Sequence, residues 1–217
     1  MYFRLSTDAV QGGPRSSFPR ARATALQPPP GLAARGISLR WLGDGDDAWL
    51  RDLYASTREQ EFVGLGWDEG ARRAFLDQQF DLQHRHYLAH FPDADFLAVC
   101  QSARPLGRLY LRPSAPSHLL VDISLFPDAR NQGIGRGLIA AAQRSAASQG
   151  CGMHLHVTTS NPDARRLYER LGFGPGAIEG AYLRMDWDAG PAGVRSVEDG
   201  LVQESVAVLR DRHQEDT

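Results

Sequence analysis

Two cysteines in 217 residues, Cys100 and Cys151, are too few for a disulfide framework and have no metal-ligand spacing. Long apolar runs are missing too: none reaches the roughly 18 residues that a membrane helix needs. The opening stretch MYFRLSTDAVQGG lacks the apolar core of roughly 7–15 residues that marks a signal peptide. A cytoplasmic protein without a membrane partner is therefore expected. There is no excess of basic charge either: the formal net charge is −2, so no electrostatic footprint for nucleic acid exists. Internal repeats are absent. What remains is a soluble, globular composition, 42% hydrophobic and 23% charged. Its length suits one domain of ordinary size plus extensions.

The extensions are read from composition. Residues 1–35 hold Gly12-Gly13-Pro14, Pro28-Pro29-Pro30 and scattered Arg without apolar period, which predicts a flexible or loosely docked segment. Met1 to Leu5 is a stray strand candidate. The domain is expected over 36–188. From 189 to 217 Gly and Pro return, and this C-terminal extension is expected to be partly helical (Val202 to Leu209) or disordered.

Inside the domain, Ile37, Leu39 and Trp41 alternate as a first strand. Asp44, Asp46 and Asp47 then supply caps for a helix reaching Arg58, with Trp49, Leu50, Leu53 and Tyr54 on one face. Asp68 caps a second helix to about Tyr87, with Phe75, Leu76, Gln79 and Leu82 at helical spacing. Phe96–Gln101 and Leu106–Arg112 read as a hairpin. Further strands are expected at Leu119–Leu125, Met153–Thr158, Phe173–Ile178 and Ala181–Trp187. A helix carrying Ile134, Leu138, Ala141 and Ala142 stops at Gly150, and a short one runs from Pro162 to Leu171, closed by Gly172.

The stretch from Leu119 to Leu138, LLVDISLFPDARNQGIGRGL, joins an apolar strand, a proline exit, a glycine loop and a helix start. Such a unit holds a phosphate with backbone N–H groups. Gly133 and Gly135 lack Cβ, so the backbone can approach an anion closely. The first N–H groups of the helix are unsatisfied and its dipole favours negative charge; Arg136 is a nearby counter-charge. No Gly-Lys-Ser/Thr follows, which excludes a nucleotide P-loop. Leu138 stands where a third glycine would complete a dinucleotide motif. Asn161 before Pro162 is an N-cap with Pro at the first helical position.

The order of elements and two motifs resemble the GCN5-related N-acetyltransferase (GNAT) superfamily over roughly Ile37 to Trp187. One motif is Arg130-Asn131-Gln132-Gly133-Ile134-Gly135. The other runs from Asn161 through Leu167-Tyr168-Glu169 to Leu171-Gly172-Phe173. The resemblance implies a mixed α/β fold: a mostly antiparallel twisted sheet of about six or seven strands flanked by about four helices. It implies an acetyl-coenzyme A-dependent N-acetyltransferase, with acetyl-coenzyme A as cosubstrate, no metal and an amine acceptor, small molecule or peptide. A monomer or homodimer is expected. By matching position, Arg130 to Arg136 would hold the pyrophosphate. Backbone groups of Ile123, Ser124 and Leu125 would pair with the pantetheine arm, a Leu125 N–H polarising the thioester carbonyl. Asn161 would also bond that arm, and Tyr168 would act as general acid toward the leaving thiolate.

The family often carries a Glu or His base nine residues before the motif Arg; that position is Val121. Strand alternation puts neighbouring Asp122 on the other face, with Leu120 and Ser124, as a structural carboxylate. His118 and Glu61 are further candidates for the base. Glu61 to Trp67 and Tyr182 are candidates for the acceptor pocket. His84, His86 and His90 read as a surface or core group rather than metal ligands. Two other readings stay open: a sensor or interaction module that binds acyl-coenzyme A with weak turnover, and a transferase using a longer acyl chain.

Overall fold

Seven strands form one sheet in the order β1-β2-β3-β4-β5-β7-β6 in a computed structural model that describes residues 17–19, 26–62 and 64–190. The elements in chain order are α1 (Pro30–Ala33), β1 (Ile37–Trp41), α2 (Asp47–Arg58), α3 (Glu69–His90), β2 (Asp95–Gln101) and β3 (Arg104–Arg112). Then come β4 (Ser117–Leu125), α4 (Ile134–Ser148), β5 (Gly152–Thr158), α5 (Pro162–Arg170), β6 (Gly174–Glu179) and β7 (Tyr182–Trp187). All neighbouring strands are antiparallel except β4 and β5, which run parallel. A parallel pair needs a crossover, and α4 supplies it. This is the mixed α/β architecture expected from the sequence.

Each face of the sheet buries its own core. On one face Leu97, Val99, Leu109, Leu111, Leu155 and Met185 pack with Leu138, Ile139 and Ala142 of α4 and with Leu167 and Tyr168 of α5. On the other, Phe96, Ala98 and Tyr110 pack against Leu50 and Tyr54 of α2 and Leu76, Phe80 and Leu88 of α3. Each large side chain removed from water in this way contributes about 1.5–3 kcal/mol. The face expected on α3 is revised: Leu76 is buried as predicted, but the stripe continues through Phe80 and Leu88 rather than Gln79 and Leu82. Salt bridges from Arg51 to Asp81 and from Arg73 to Asp52 (2.7 Å) tie α2 to α3.

Two sequence expectations change. Ordered structure does not begin near Gly36. Leu26 and Leu32 are both buried in the α4-side core, and the proline run starts α1, with Pro30 in its first turn. Proline supplies a preset φ there, which suits a helix start as well as a flexible linker. The second change concerns Asp122. The β3–β4 register shifts between Tyr110 and Leu111, which oppose Asp122 and Leu120, so Val121 is the extra residue of a β-bulge. A bulge breaks the alternation on which the sequence reading relied. Leu120 joins the α4-side core, whereas Val121 and Asp122 both turn toward α2 and α3. The strand expected at Met1 to Leu5 and the helix expected at Val202 to Leu209 lie outside the described residues.

Candidate active site

The β4–β5 register runs from Ser117↔Gly152 to Leu120↔Leu155 and stops, whereas β4 stays paired with β3 as far as Leu125↔Gly107. Beyond the bulge, then, the edge of β4 that faces β5 has no strand partner among the described residues. An unpaired edge offers backbone N–H and C=O groups to an extended ligand. Ile123 and Leu125 point to the α4 side; each has a methyl within 3.9 Å of where a Cβ on Gly135 would sit. Ser124 points the other way and its Oγ donates to Asp122 Oδ1 at 2.8 Å. The carbonyl of Leu125 is already occupied, accepting from Arg130 Nε at 2.8 Å. Arg130 thus fastens the loop to the strand end.

The loop closes onto α4 through Gly133, at φ +75°, where an added Cβ would meet nothing within 4 Å. Asn131 also has positive φ, 59°, a conformation that Asn tolerates better than most residues. The first intrahelical bond is Gly137 N–H to Gly133 O at 2.9 Å. The N–H groups of Gly133, Ile134, Gly135 and Arg136 find no partner among the described residues, and with the helix dipole they form an anion cradle. Asn131, Gln132 and Arg136 are exposed around it.

The loop is also held from outside. Arg35 Nη1 donates to Gln132 O at 2.9 Å, and Gln132 Nε2 donates to Asp128 O at 2.6 Å. Arg35 had no visible role in the sequence. One signal was present: Gly137 is a third glycine inside a helix, which costs about 1 kcal/mol relative to alanine. A Cβ there would come within 2.8 Å of Leu32 Cδ1, so this glycine admits the N-terminal segment.

Asn161 caps α5 as expected, its Oδ1 accepting from Ala164 N–H at 3.0 Å. Its side-chain NH₂ remains available for a ligand. Tyr168 projects from the buried face of α5 and meets Phe173 edge-on at 6.0 Å between ring centroids. Burial, and after it the negative charge of Asp122, pushes the Tyr168 hydroxyl up to about 12. The phenol therefore stays protonated at all ordinary pH values.

Asp122 is fully engaged. It accepts from Arg108 Nη2 at 2.8 Å, Tyr87 Oη at 3.1 Å and Ser124 Oγ at 2.8 Å. Arg108 is buried and also donates to Gln83 Oε1 at 2.8 Å. The structural-carboxylate expectation for Asp122 therefore agrees with its bonding, although its face was misread. This buried Arg108–Asp122–Tyr87 cluster was missed, because isolated arginines normally read as surface.

The other acid–base candidates are dispersed. His118 lies at the paired end of β4 and shares the α4-side face with Leu120; at about 3.3 Å per residue it is some 16 Å from Ile123. Glu61 pairs with Arg58 at 2.7 Å. Burial opposes the charge on Arg58, but Glu61, Tyr54 and Tyr182 outweigh it and raise its pKa. Phe62, Trp67 and Phe75 pack edge-to-face at 5.3–5.9 Å, so these aromatics close on α3. His86 and His90 stack at 4.0 Å, and His84 stacks on Phe80 at 5.4 Å. Among the described residues no group of three or more His, Cys, Asp or Glu could hold a metal, and no helix is long and apolar enough to cross a membrane.

On β5, Met153, Leu155 and Val157 face the α4-side core, so His154 and His156 occupy the opposite face. His154 Nδ1 is 2.8 Å from Ser117 Oγ. Burial, aided by Arg184, lowers its pKa to about 4. His156 is lowered as well, by burial and then by Arg184, and its Nε2 is buried without a hydrogen-bond partner among the described residues.

Comparison with known proteins adds to this geometry. Over 61 residues, 28% of the chain, it is 44% identical to acetyltransferase Atu2258 of Agrobacterium fabrum, a stretch that spans only 44% of that relative's length. The PaiA N-acetyltransferase of Thermoplasma acidophilum, solved with coenzyme A, superposes with a TM-score of 0.55 at 18% identity, covering 70% of this chain and 98% of that one. An acetyltransferase of Thermus thermophilus gives 0.52 at 18% identity, covering 70% and 96%. At such identity these two structures establish a shared fold. The sequence itself matches the family model described as acetyltransferase (GNAT) family over residues 43–173. That match covers more than half of the chain, from the turn before α2 to the residue before β6, and on this ground the protein belongs to the GNAT acetyltransferase family.

Proposed function

We propose that the protein transfers an acetyl group from acetyl-coenzyme A to the nitrogen of an amine, by direct attack and without a covalent enzyme intermediate. The observation that carries this reading is the split between β4 and β5 directly beside the α4 cradle. The residues present fit the coenzyme. The unpartnered N–H groups of Gly133 to Arg136 suit a pyrophosphate, with Arg136 as counter-charge. The free edge at Ile123, Ser124 and Leu125 suits the amides of a pantetheine arm. The spare amide of Asn161 faces the same task from α5. Bound acetyl-coenzyme A supplies the thioester carbon.

The chain's own residues then divide the work. The edge of β4 orients the arm and offers a backbone N–H to the carbonyl oxygen as its charge grows. Tyr168 donates a hydrogen bond to the departing sulfur. With its pKa at about 12, full transfer of its proton to a thiolate of pKa near 8.5 would cost about 5 kcal/mol. The phenol therefore works first as a charge-stabilising donor. Holding both reactants in the split lowers the barrier further through proximity, by roughly 7–11 kcal/mol at best. The acceptor enters from the α2 side, past Glu61 and Tyr182.

Thiol release from acetyl-coenzyme A, measured across a panel of amines and peptides, tests the reading. Acceptor-stimulated release supports it; tight coenzyme binding without stimulation would instead indicate a sensor or interaction module. Propionyl- and longer acyl-coenzyme A in the same assay define the acyl length. Gly135→Trp should abolish coenzyme binding by filling the cradle against Ile123 and Leu125, and normal binding would refute the loop assignment.

A further inference from the structure

We infer that His156 is the base that takes the proton from the acceptor's ammonium group. The inference rests on the transferase reading above and adds the residue that reading lacks.

The donor and the acceptor need opposite faces of the sheet. The anion cradle belongs to α4, whose Ile134 and Leu138 pack into one core. The acceptor candidates at the end of α2 belong to the other, with Tyr54 and Phe62 in its cluster. Between the two faces, β4 and β5 part after Leu120↔Leu155. The last paired residue of β5 is Leu155, so His156 is the first residue beyond the parting. Alternation turns it to the acceptor face. Its Nε2 is buried there without a partner among the described residues; in the Nδ1–H tautomer this atom carries the unoccupied lone pair that a base needs.

The other candidates are engaged or set apart. His84, whose Nδ1 is also buried without a hydrogen-bond partner among the described residues, sits on α3 stacked on Phe80 of the α2–α3-side core, away from the β4–β5 parting. The oxygens of Asp122 are taken by Arg108, Tyr87 and Ser124. Val121, at the position where relatives of this family often carry the base, has no proton-accepting group. Glu61 is held by Arg58. His118 lies on the donor face. The charged groups around His156 are Arg184, Glu179 and Asp186, with His154 two residues away on the same strand. Arg184 is itself paired with Asp186 at 2.8 Å. Burial and Arg184 favour the neutral imidazole over the pull of the two carboxylates, so the ring stands ready to accept at neutral pH.

One N–H proton of the ammonium passes to His156 Nε2, freeing the nitrogen lone pair. That pair forms the C–N bond while the C–S bond breaks and sulfur leaves with the bonding electrons, held by the Tyr168 hydroxyl. A second N–H proton ends on the sulfur as thiol, and His156 returns its proton to solvent.

The test compares wild type, His156→Gln and His156→Ala with acetyl-coenzyme A and two acceptors. One is the primary alkylamine that best stimulates thiol release. The other is hydroxylamine, whose nitrogen is unprotonated at neutral pH and so needs no prior deprotonation. His156→Gln should lose about 10²-fold in kcat/KM with the alkylamine and far less with hydroxylamine. Added imidazole should restore part of the His156→Ala activity. In the ligand-free protein, the His156 ring protons followed by NMR should titrate below the ordinary histidine value. Equal losses with both acceptors, no loss with the alkylamine, or a ring that titrates above pH 7 would each overturn the assignment. Wild type that releases no thiol with either acceptor would instead remove the transferase reading, and the inference with it.

Discussion

Replacing Asp122 with alanine should cost the protein a large part of its stability. Arg108 and Asp122 expose only 3% and 11% of their side chains, and the guanidinium meets the carboxylate through Nη2 at 2.8 Å and Nε at 3.3 Å. Removing one partner of such a pair leaves a buried charge uncompensated, at about 3–5 kcal/mol. The hydroxyls of Tyr87 and Ser124 lose their acceptor as well, which places the expected value toward the upper end. A domain of this size holds only about 5–15 kcal/mol in all. At about 2–4 °C per kcal/mol, the melting temperature should fall by roughly 6–20 °C. Urea denaturation and a thermal scan at pH 7 measure both quantities. Gln83 is the one other side chain to which Arg108 donates among the described residues, and as a neutral amide it cannot neutralise the charge. The decisive control is the double replacement Asp122→Leu with Arg108→Met. Removing both charges should recover most of the loss, because a packed apolar pair serves the fold about as well as a buried ion pair. A loss below about 1 kcal/mol for Asp122→Ala, or a double variant no more stable than the single one, would refute the reasoning.

Three further outcomes are expected. Gly107→Ala would drive a Cβ into the backbone oxygen of Ser124 and place it 2.8 Å from Leu125 Cα; backbone cannot yield as a side chain does, so a loss of roughly 3 kcal/mol with weakened coenzyme A binding should appear in thermal scans and calorimetry, and wild-type values would disprove the close approach. Tyr168→Phe should lower kcat about 10²-fold while coenzyme affinity, measured by calorimetry, changes little; an unchanged kcat removes Tyr168 from the chemistry. Burial alone would raise the pKa of Asp46, but hydrogen bonds from Arg40, Trp49 and Gly43 bring it to about 2; its stabilisation is therefore complete above the unfolded value near 4 and disappears as pH falls toward 2. With Arg40 half exposed, about 1–2 kcal/mol is expected, and the stability gap between wild type and Asp46→Asn should narrow over that range; a gap independent of pH would count against the ion pair.

Much of this was legible because it is local. A strand, a glycine loop and a helix start are contiguous in sequence, as are Asn161 and the Pro162 that follows it, and both caps and cradles depend on near neighbours. Gly133 at positive φ and Asn161 bonding Ala164 N–H follow from residue type and spacing alone. The docking of residues 26–35 was hidden because a proline run reads the same whether it is solvated or starts a helix. Arg35 and Leu32 act across about a hundred residues of sequence, on Gln132 and Gly137. The Arg108 cluster was hidden for a similar reason, since its pairing joins α3, β3 and β4.

The bulge at Val121 explains why the face of Asp122 could not be read and why the site lies where it does. Alternation is a property of one strand, but a bulge is a property of a pair, set here by Tyr110 and Leu111 of β3. Bulges bend and twist the strand that carries them, and this one falls just where β4 loses β5, after Leu120. Beyond it, among the described residues, β4 is paired on one side only. Gly107 lets β3 come close enough to keep that hold, and Arg130 secures the far end at the Leu125 carbonyl. An edge left open inside a sheet would ordinarily be a liability. Here it lies between the α4 N-terminus on one face and His156 on the other, so the bend that spoils the strand's periodicity also marks where the proposed donor and acceptor sides meet.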